Sequence, residues 1–254
     1  KEETDYSIKN NLMDMRYGKI LLCADSDEDG NHIVAQIINF FKEKFPGILE
    51  RNMLSYLRTP IIKVFKKDKI MKRFFTVKEF EKWNKANETK GFTVRYYKGL
   101  GTSNDKDIED DLTIAPTVIC FYDSEAEDNL NLAFHKDLSD QRKKWIEEWR
   151  DVSQVGDVVS MDISNLSKLQ KAQNISQFIN RELVSYSVSS LFRAIPGKCD
   201  FIKESQRKGL WSALEYFKYD TKGKPIKTGR FANKAADMSQ YHHGEKSLTD
   251  TIIK

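Results

Sequence analysis

Three aspartates, each separated from the next by one residue, stand between a short apolar run and an amphipathic stretch. The run Ile20–Ala24 is short and apolar enough to be a fully buried strand of a parallel sheet. After Gly30, apolar residues recur at helical spacing to about Phe45, where a Pro-Gly pair stops the helix. A strand, a loop and a helix in this order predict an α/β domain, with three carboxylates at the carboxyl end of the strand: Asp25, Asp27 and Asp29.

The acidic loop, defined as Asp25–Gly30, has the chemistry of a metal site, because clustered carboxylates repel one another unless a cation neutralises them. Oxygen donors suit hard divalent cations, and the pattern favours Mg²⁺. The loop also matches positions 1, 3, 5 and 6 of a calcium-binding EF-hand, but position 12, which should be a bidentate Glu, is Gln36. A purely structural acidic turn is a further alternative.

The composition bounds the class of protein. The 254 residues carry a formal net charge of only +4, so a nucleic-acid surface would have to come from local clustering of basic residues. No run approaches the ~18 apolar residues of a membrane-spanning helix, and no signal peptide is recognisable. Three cysteines without a Cys-x-x-Cys pair predict neither a disulfide framework nor a thiolate zinc site. We expect an intracellular protein with one large or two ordinary domains and no membrane segment.

Beyond the first helix, the pattern alternates between strands and helices as far as residue 124. Residues 125–170 become charged and helical, then polar, which predicts a helical extension and a linker. Beyond Ile175 the apolar residues recur at helical spacing. The sequence therefore predicts an α/β domain at residues 1–124 and a mainly helical domain at residues 171–254.

The basic charge is concentrated in the second predicted domain. Residues 201–254 hold eleven Lys or Arg against six Asp or Glu. Arg207 and Lys208 lie at the start of a helix, which is how helix-turn-helix and winged-helix domains contact DNA, although a solvated helix face is the alternative. The adjacent His242 and His243 point to different sides and make a poor zinc site, so we expect capping or phosphate contact there.

Taken together, these motifs resemble one family far more specifically than any of them does alone. The chain is similar to the metal-binding, C-terminal part of the toprim domain and the start of the winged-helix DNA-gate domain of eukaryotic-type (type IIA) DNA topoisomerases, including viral ones. The segments that carry the resemblance are Met15–Lys19, Asp25–Ile33, Thr59–Val64, Tyr96–Ser103, Leu132–Phe134, Asp140–Trp145, Phe178–Leu183, Arg193–Pro196, Gln206–Lys208 and Tyr241–Glu245. One stretch departs from the family, since Asp200–Ser205 stands where the family usually reads Asp-Gly-Leu-Lys-Pro-Gly.

The resemblance implies a fold and a reaction. The expected fold is an α/β toprim domain with a Rossmann-like parallel sheet, followed by a mainly helical winged-helix domain. The family cuts both strands of a DNA duplex through a tyrosyl-phosphate link, passes a second duplex through the break and hydrolyses ATP. By this resemblance Asp25 and Asp27 are primary ligands of Mg²⁺ and Asp29 is a secondary one. The implied partners are double-stranded DNA and a second copy of the chain in a homodimer, in the nucleus, or in the host cytoplasm or viral factory if the source is viral.

The resemblance also implies DNA contacts and parts that lie elsewhere. The expected contacts with the DNA backbone are Lys98, Gly99, Gly101, Arg207, Lys208, His242 and His243. A further metal-ligating glutamate is expected upstream of this chain, the nucleophilic tyrosine downstream of it, and ATP binding in a region outside it. We therefore expect that the chain alone does not cut DNA and that Tyr241 is not the nucleophile. Another toprim phosphotransferase, such as a primase or a nuclease, is the alternative, but such a protein is not expected to contain the Tyr241–Glu245 motif.

Overall fold

The computed structural model of the chain describes residues 15–67, 69–75, 77–87, 91–97, 105, 108–109, 117–149, 170–220, 223–241 and 243–253. The chain divides into two compact units, the first ending at Tyr186 and the second beginning at Ser187. The strands are β1 (Ile20–Leu22), β2 (Leu54–Leu57), β3 (Ile62–Lys66), β4 (Lys69–Phe74), β5 (Thr93–Tyr96), β6 (Thr117–Phe121) and β7 (Gln170–Asn174). The helices are α1 (Glu28–Lys44), α2 (Pro46–Glu50), α3 (Val77–Ala86), α4 (Ala126–Phe134), α5 (Ser139–Glu147), α6 (Ile175–Phe178), α7 (Val184–Ala194), α8 (Glu204–Phe217), α9 (Thr228–Ser239) and α10 (Glu245–Ile253), with a 3₁₀ turn at Lys136–Leu138 and a π-helical turn at Ile179–Leu183.

The main sheet of the first unit has the strand order β1-β2-β6-β7. β1 is parallel to β2 and β6 is parallel to β7, whereas β2 and β6 are antiparallel. The predicted parallel sheet is therefore corrected to a mixed sheet. The reason is the connection: an antiparallel pair needs no crossover helix, and the chain between β2 and β6 builds a separate sheet instead.

That separate sheet has the order β4-β3-β5, and both of its strand pairs are antiparallel. Pro60 interrupts the apolar stretch Met53–Val64 and separates β2 from β3, because proline cannot donate to a strand ladder. The small core of this sheet contains Ile62, Val64, Phe74 and Phe80.

β1 is shorter and more exposed than the sequence predicted. It ends at Leu22 rather than Ala24, and the side chain of Leu21 is 43 % exposed. In the described strand order β1 has a neighbour on one side only, so its side chains are covered less completely than those of β2. The prediction of a fully buried strand is therefore wrong for β1.

α1 confirms the predicted helix and packs on the main sheet. Val34 and Ile38 are buried in one cluster with Leu54 of β2 and Leu130 of α4. Ile33, which the periodicity placed on the same face, is 49 % exposed. The buried stripe is therefore centred on Val34 and Ile38, where the helix faces the sheet.

Residues 170–186 complete the core of the first unit. β7 pairs with β6, and four side chains from the turns that follow are buried in the main cluster: Ile175, Phe178, Ile179 and Leu183. The division between the compact units thus lies after Tyr186, later than the predicted boundary at residue 171. Local periodicity cannot report this, because strand pairing is a contact between distant parts of the chain.

In the second unit, α8, α9 and α10 pack around Phe231, Ala235 and Leu248. The regular elements among the described residues 187–220, 223–241 and 243–253 are all helices. This agrees with the helical pattern predicted beyond Ile175.

A buried polar chain crosses the core of the first unit. The hydroxyl of Tyr56 donates to Oε1 of Gln173 at 2.6 Å, and Nε2 of Gln173 donates to Oε1 of Glu182 at 3.1 Å. The other oxygen of Glu182 is buried and has no hydrogen-bond partner within the described part of the chain. Burial raises the pKa of Glu182, while the bond from Gln173 and the charges of Arg58 and Arg181 act in the opposite direction.

We expect Glu182→Gln to raise the free energy of unfolding at pH 7 by on the order of 1 kcal/mol. The amide keeps the acceptor for Gln173 but carries no charge. Because the folded-state pKa of Glu182 is raised, the wild type loses stability as pH rises from the ordinary glutamate pKa of about 4.3 up to the folded-state value. The variant should lack this loss, as measured by urea unfolding at pH 4 and pH 7. Glu147→Gln, an exposed site on α5, is the control, and an equal response of the two variants would contradict the assignment.

Candidate functional site

The acidic loop leads from β1 into α1 as predicted, but the helix begins earlier than the sequence indicated: Asp27 is its N-cap, and Glu28–Gly30 already belong to it. The backbone of Asp27 is extended, with φ −102° and ψ −179°, and its Oδ1 accepts a hydrogen bond from the N–H of Gly30 at 2.7 Å. Asp27 is therefore the N-cap of α1, and Glu28 and Asp29 lie in the first turn, where negative charge stabilises the helix dipole. The EF-hand alternative is contradicted, because it needs a helix on each side of the loop and here a strand precedes it.

Gly30 allows the loop to fold back onto the start of the helix. A Cβ at this position would lie 1.9 Å from the backbone oxygen of Asp25 and 2.8 Å from its carbonyl carbon. These distances are far shorter than any real contact of a Cβ atom, so the close approach requires glycine. The consequence is that the backbone of Asp25 is held against the N-terminal turn of α1.

Ser26 ties the acidic loop to the end of the neighbouring strand. Its hydroxyl donates to the carbonyl of Thr59 at 2.9 Å and accepts from the N–H of Thr59 at 3.1 Å. The two hydroxyl oxygens also lie 2.5 Å apart. Thr59 follows β2, which is parallel to β1, so the carboxyl ends of two parallel strands meet at the loop. The pair of Ser26 and Thr59 was not predicted from the sequence, although Thr59–Val64 was among the motifs.

The carboxylate oxygens of the acidic loop are suitable ligands for magnesium, but they do not make up a complete set of protein ligands. Among the described residues, no group of three His, Cys, Asp or Glu side chains could hold a metal ion. Asp25 and Asp27 are exposed and Asp29 is partly buried. Mg²⁺ usually binds through one or two carboxylates and keeps several waters. The oxygen donors of Asp25 and Asp27 are of the right kind for such a site.

The first turns of α1 are also fixed from a distant part of the chain. Ser185 Oγ donates to Oε1 of Glu28 at 3.2 Å, and the ring of Tyr186 stacks on His32 with 3.9 Å between centroids and 11° between planes. Burial lowers the pKa of His32, and Asp29 opposes this to a smaller extent. The imidazole is therefore a packed, stacking group beside the acidic loop.

In the second unit, the guanidinium of Arg207 is held by Asp200. Nε donates to Oδ2 at 2.7 Å and Nη2 donates to Oδ1 at 2.9 Å, which is a bidentate pair. Nη2 also donates to the carbonyl of Ile202 at 3.3 Å. The pair with Arg207, together with the N–H of Ile202 that donates to Oδ1, lowers the pKa of Asp200. Arg207, a predicted DNA contact, thus also stabilises the turn before α8. Its Nη1 atom takes part in none of these bonds.

The basic cluster, defined as Arg193, Lys208, Tyr241 and His243, brings two predicted DNA contacts together. Nη1 of Arg193 lies 3.3 and 3.4 Å from the two ring nitrogens of His243, whose ring packs edge-on against Tyr241. Nζ of Lys208 lies 6.0 Å from the centroid of the Tyr241 ring and 3.1 Å from Oε1 of Glu204. Arg193 was not predicted as a site residue, although it belongs to the Arg193–Pro196 motif. The Tyr241 hydroxyl donates to Ser247 Oγ at 3.3 Å.

Four of the predicted DNA contacts lie outside the described residues. They are Lys98, Gly99, Gly101 and His242. Of the other candidates, Asp25, Asp27 and Asp29 belong to the first unit, and Arg207, Lys208 and His243 belong to the second. In the described part of the chain, no helix is long and apolar enough to cross a bilayer.

Comparison with known proteins divides the chain at nearly the same place as the structure does. Residues 57–191 match the family of the C-terminal associated domain of TOPRIM, and residues 193–254 match the family of the A subunit of DNA gyrase and topoisomerase IV. The chain is 37 % identical over 257 residues to the mitochondrial DNA topoisomerase 2 of Dictyostelium discoideum, covering 99 % of this chain and 19 % of that protein. It is 35 % identical over 254 residues to human DNA topoisomerase 2-alpha, covering 98 % of this chain and 16 % of that protein.

A solved structure is similar over most of the chain. The DNA-binding, cleavage and re-ligation domain of Plasmodium falciparum topoisomerase II superposes with a TM-score of 0.73 at 32 % identity, covering 94 % of this chain and 31 % of that one. This likeness confirms the predicted fold class, an α/β domain followed by a mainly helical one. The chain spans about one fifth or less of the length of the curated relatives.

Proposed function

Because this chain belongs to the family of the C-terminal associated domain of TOPRIM, we propose that it is part of the DNA cleavage core of an ATP-dependent type II topoisomerase. The relatives confirm the resemblance that the motifs predicted. In this function a duplex is cut on both strands, each end is held by a tyrosyl link, and a second duplex passes through the break. The observation that carries the proposal is similarity along almost the whole chain, with the acidic loop at the carboxyl end of β1. A primase or nuclease is not favoured by these relatives.

The proposed metal ligands are Asp25 and Asp27, with Asp29 as a secondary ligand. When bound, Mg²⁺ would neutralise charge on the phosphate oxygens and on the leaving 3′ oxygen. The chain's own contribution is to hold the carboxylates in place: Asp27 through its cap bond, and Asp25 through the close approach of Gly30. Ser26 fixes the loop to Thr59 between them.

The proposed DNA contacts are Lys98, Gly99, Gly101, Arg207, Lys208, His242 and His243, to which we add Arg193. The basic side chains among them would bind phosphates and position the duplex without reading its sequence. In the basic cluster, Arg193 and His243 lie together, and the packing against Tyr241 restricts the imidazole. We assign Tyr241 to this packing rather than to nucleophilic attack.

The remaining parts of the reaction belong to other regions of a longer protein in this proposal. They are the ATP-binding region, a further metal-ligating glutamate and the nucleophilic tyrosine. A homodimer would supply two equivalent sites for the two strands, because two-fold symmetry relates the two cuts. The proposed compartment is the nucleus.

The test is a cleavage assay on a full-length protein that carries these residues. Supercoiled plasmid is incubated with the protein and Mg²⁺ and then denatured with detergent. The expected result is linear DNA with covalently attached protein, and relaxation of the plasmid when ATP is present. Linear DNA without attached protein would indicate a nuclease and would overturn the proposal.

We expect Arg207→Ala to weaken binding of the 254-residue chain to all duplex sequences about equally. One phosphate contact fewer should reduce the slope of log K against log[salt] by roughly 1. Fluorescence anisotropy at several salt concentrations measures both quantities.

Two variants control for the other role of Arg207. Arg207→Lys keeps the charge but cannot form the bidentate pair with Asp200, so the salt slope should be retained. Lys234→Ala removes a cation of α9 that lies beside Tyr216 of α8, outside the basic cluster, and should leave the slope unchanged. A loss confined to particular sequences in Arg207→Ala would contradict phosphate contact.

A further inference from the structure

Phe201 combines two features that a large apolar residue rarely has together. Its φ is +55°, in the left-handed region that bulky side chains avoid, and its side chain is 81 % exposed. The turn thus holds an unfavourable backbone conformation and gains no burial of the ring in return. Strained residues of this kind persist where their surroundings enforce them and are concentrated at functional positions.

The turn that carries Phe201 is held on several sides. The N–H of Phe201 donates to the carbonyl of Gly197, and the N–H of Gly197 donates to the carbonyl of Ile202, both at 2.9 Å. The bidentate pair of Asp200 and Arg207 closes the turn against the first turns of α8. A Cβ on Gly197 would lie 2.7 Å from Oδ1 of Asp200, so the turn is tightly packed. These contacts fix the backbone of the turn, and the ring of Phe201 remains exposed.

The residues that flank Phe201 along the chain carry an excess of basic charge. Residues 198–208 contain four Lys or Arg and two Asp or Glu, and Lys203 lies at the N-cap of α8. An exposed apolar ring in a basic segment suits duplex DNA, where cations bind the phosphates and Phe, Leu or Ile side chains wedge between base steps. Exposed Tyr219, with a φ of +60°, is different, because its hydroxyl donates to Glu215 and Asp220 follows it.

We propose that Phe201 is a DNA wedge, an apolar side chain that packs against a base step of the bound duplex and unstacks it. This inference rests on the proposed function, because it requires the second unit to bind duplex DNA. It goes further by assigning an intercalating contact to an exposed apolar side chain of the second unit. Phosphate contacts from the same turn would set the register in which the ring meets the bases.

The test compares the 254-residue chain with Phe201→Gly and with Tyr219→Gly. Both variants replace an exposed aromatic residue with positive φ, at opposite ends of α8, so both relieve similar backbone strain. Each is titrated onto a duplex of about 30 base pairs that carries 2-aminopurine, whose fluorescence rises when its base is unstacked. Phe201→Gly should lose about fivefold to tenfold in affinity, with an unchanged salt slope, and should lose the fluorescence rise. Tyr219→Gly should match the wild type within about twofold in affinity and should keep the rise.

The outcomes separate this inference from the proposed function. If the wild-type chain does not bind duplex DNA, the proposed function fails. If the wild type binds and Phe201→Gly binds equally well with the same fluorescence rise, the wedge alone is overturned. A loss of affinity in Phe201→Gly without any change in fluorescence would also overturn it, because the ring would then contact the backbone. Equal melting temperatures of the two variants would show that folding does not cause the difference.

Discussion

Gly30→Ala is expected to destabilise the first unit by about 3 kcal/mol, because the added methyl group would meet backbone rather than a flexible side chain. The Cβ would lie 1.9 Å from the carbonyl oxygen of Asp25, so either the acidic loop or the first turn of α1 must move. Movement of the loop would also break the cap bond from Gly30 to Asp27. Urea unfolding of the chain measures the loss of stability, and cleavage by the full-length protein should be lost with it.

Gly229→Ala is the matched control for this substitution. Gly229 lies in the first turn of α9, and a Cβ there would have no atom within 4 Å apart from its chain neighbours and the nearby backbone of its own helix. Alanine is favoured over glycine in a helix, so this variant should be unchanged or more stable by up to about 1 kcal/mol. Wild-type stability of Gly30→Ala would mean that the loop does not pack on the helix start as the structure shows.

Asp27→Asn is expected to lower the cleavage rate of a full-length protein by about a thousandfold, or ~4 kcal/mol of transition-state stabilisation. Asparagine caps a helix about as well as aspartate, so the bond from Gly30 and the stability of α1 should be kept. The charge that the proposed metal site requires is removed. Asp27→Ala should lose the same activity and, in addition, about 1 kcal/mol of stability, because the cap bond is lost as well.

These two variants separate the capping role of Asp27 from its proposed metal role. Calorimetric titration of Mg²⁺, urea unfolding and the plasmid cleavage assay together give the comparison. Asp25→Ala should resemble Asp27→Asn in activity, and Asp29→Ala should have a smaller effect. Cleavage by Asp27→Asn at the wild-type rate and at ordinary Mg²⁺ would remove Asp27 from the ligand set.

The parts of the fold that the sequence predicted correctly are local. The order of β1, acidic loop and α1 follows from a short apolar run, an N-cap and helical periodicity, all of which are contained in Ile20–Phe45. The direction of β6 against β2 and the position of β1 at the end of the strand order depend on pairing between distant segments. No periodicity within one segment reports such pairing, and the parallel sheet and the buried β1 were wrong for that reason.

The candidate site shows the same limit. The three aspartates were identified from their spacing, but the bond between Ser26 and Thr59 joins residues 33 positions apart. The contact of Arg193 with His243 and the pair of Asp200 with Arg207 were also missed. The sequence does not show which acidic or aromatic side chain a basic residue will contact. Whether that basic residue is available to DNA is therefore decided only by the fold.

The contact of Ser185 with Glu28 has a consequence for the order of events during synthesis. The two residues are 157 positions apart, so the start of α1 leaves the ribosome long before its partner exists. At translation rates of about 5 to 20 residues per second, that interval lasts roughly 8 to 30 s. During this time α1 has neither Ser185 nor the stacking ring of Tyr186, and β6, once it has been made, still lacks its neighbour β7. The apolar side chains that β7 and the following turns cover in the finished core are exposed in that interval, and such surfaces favour aggregation until the core is complete.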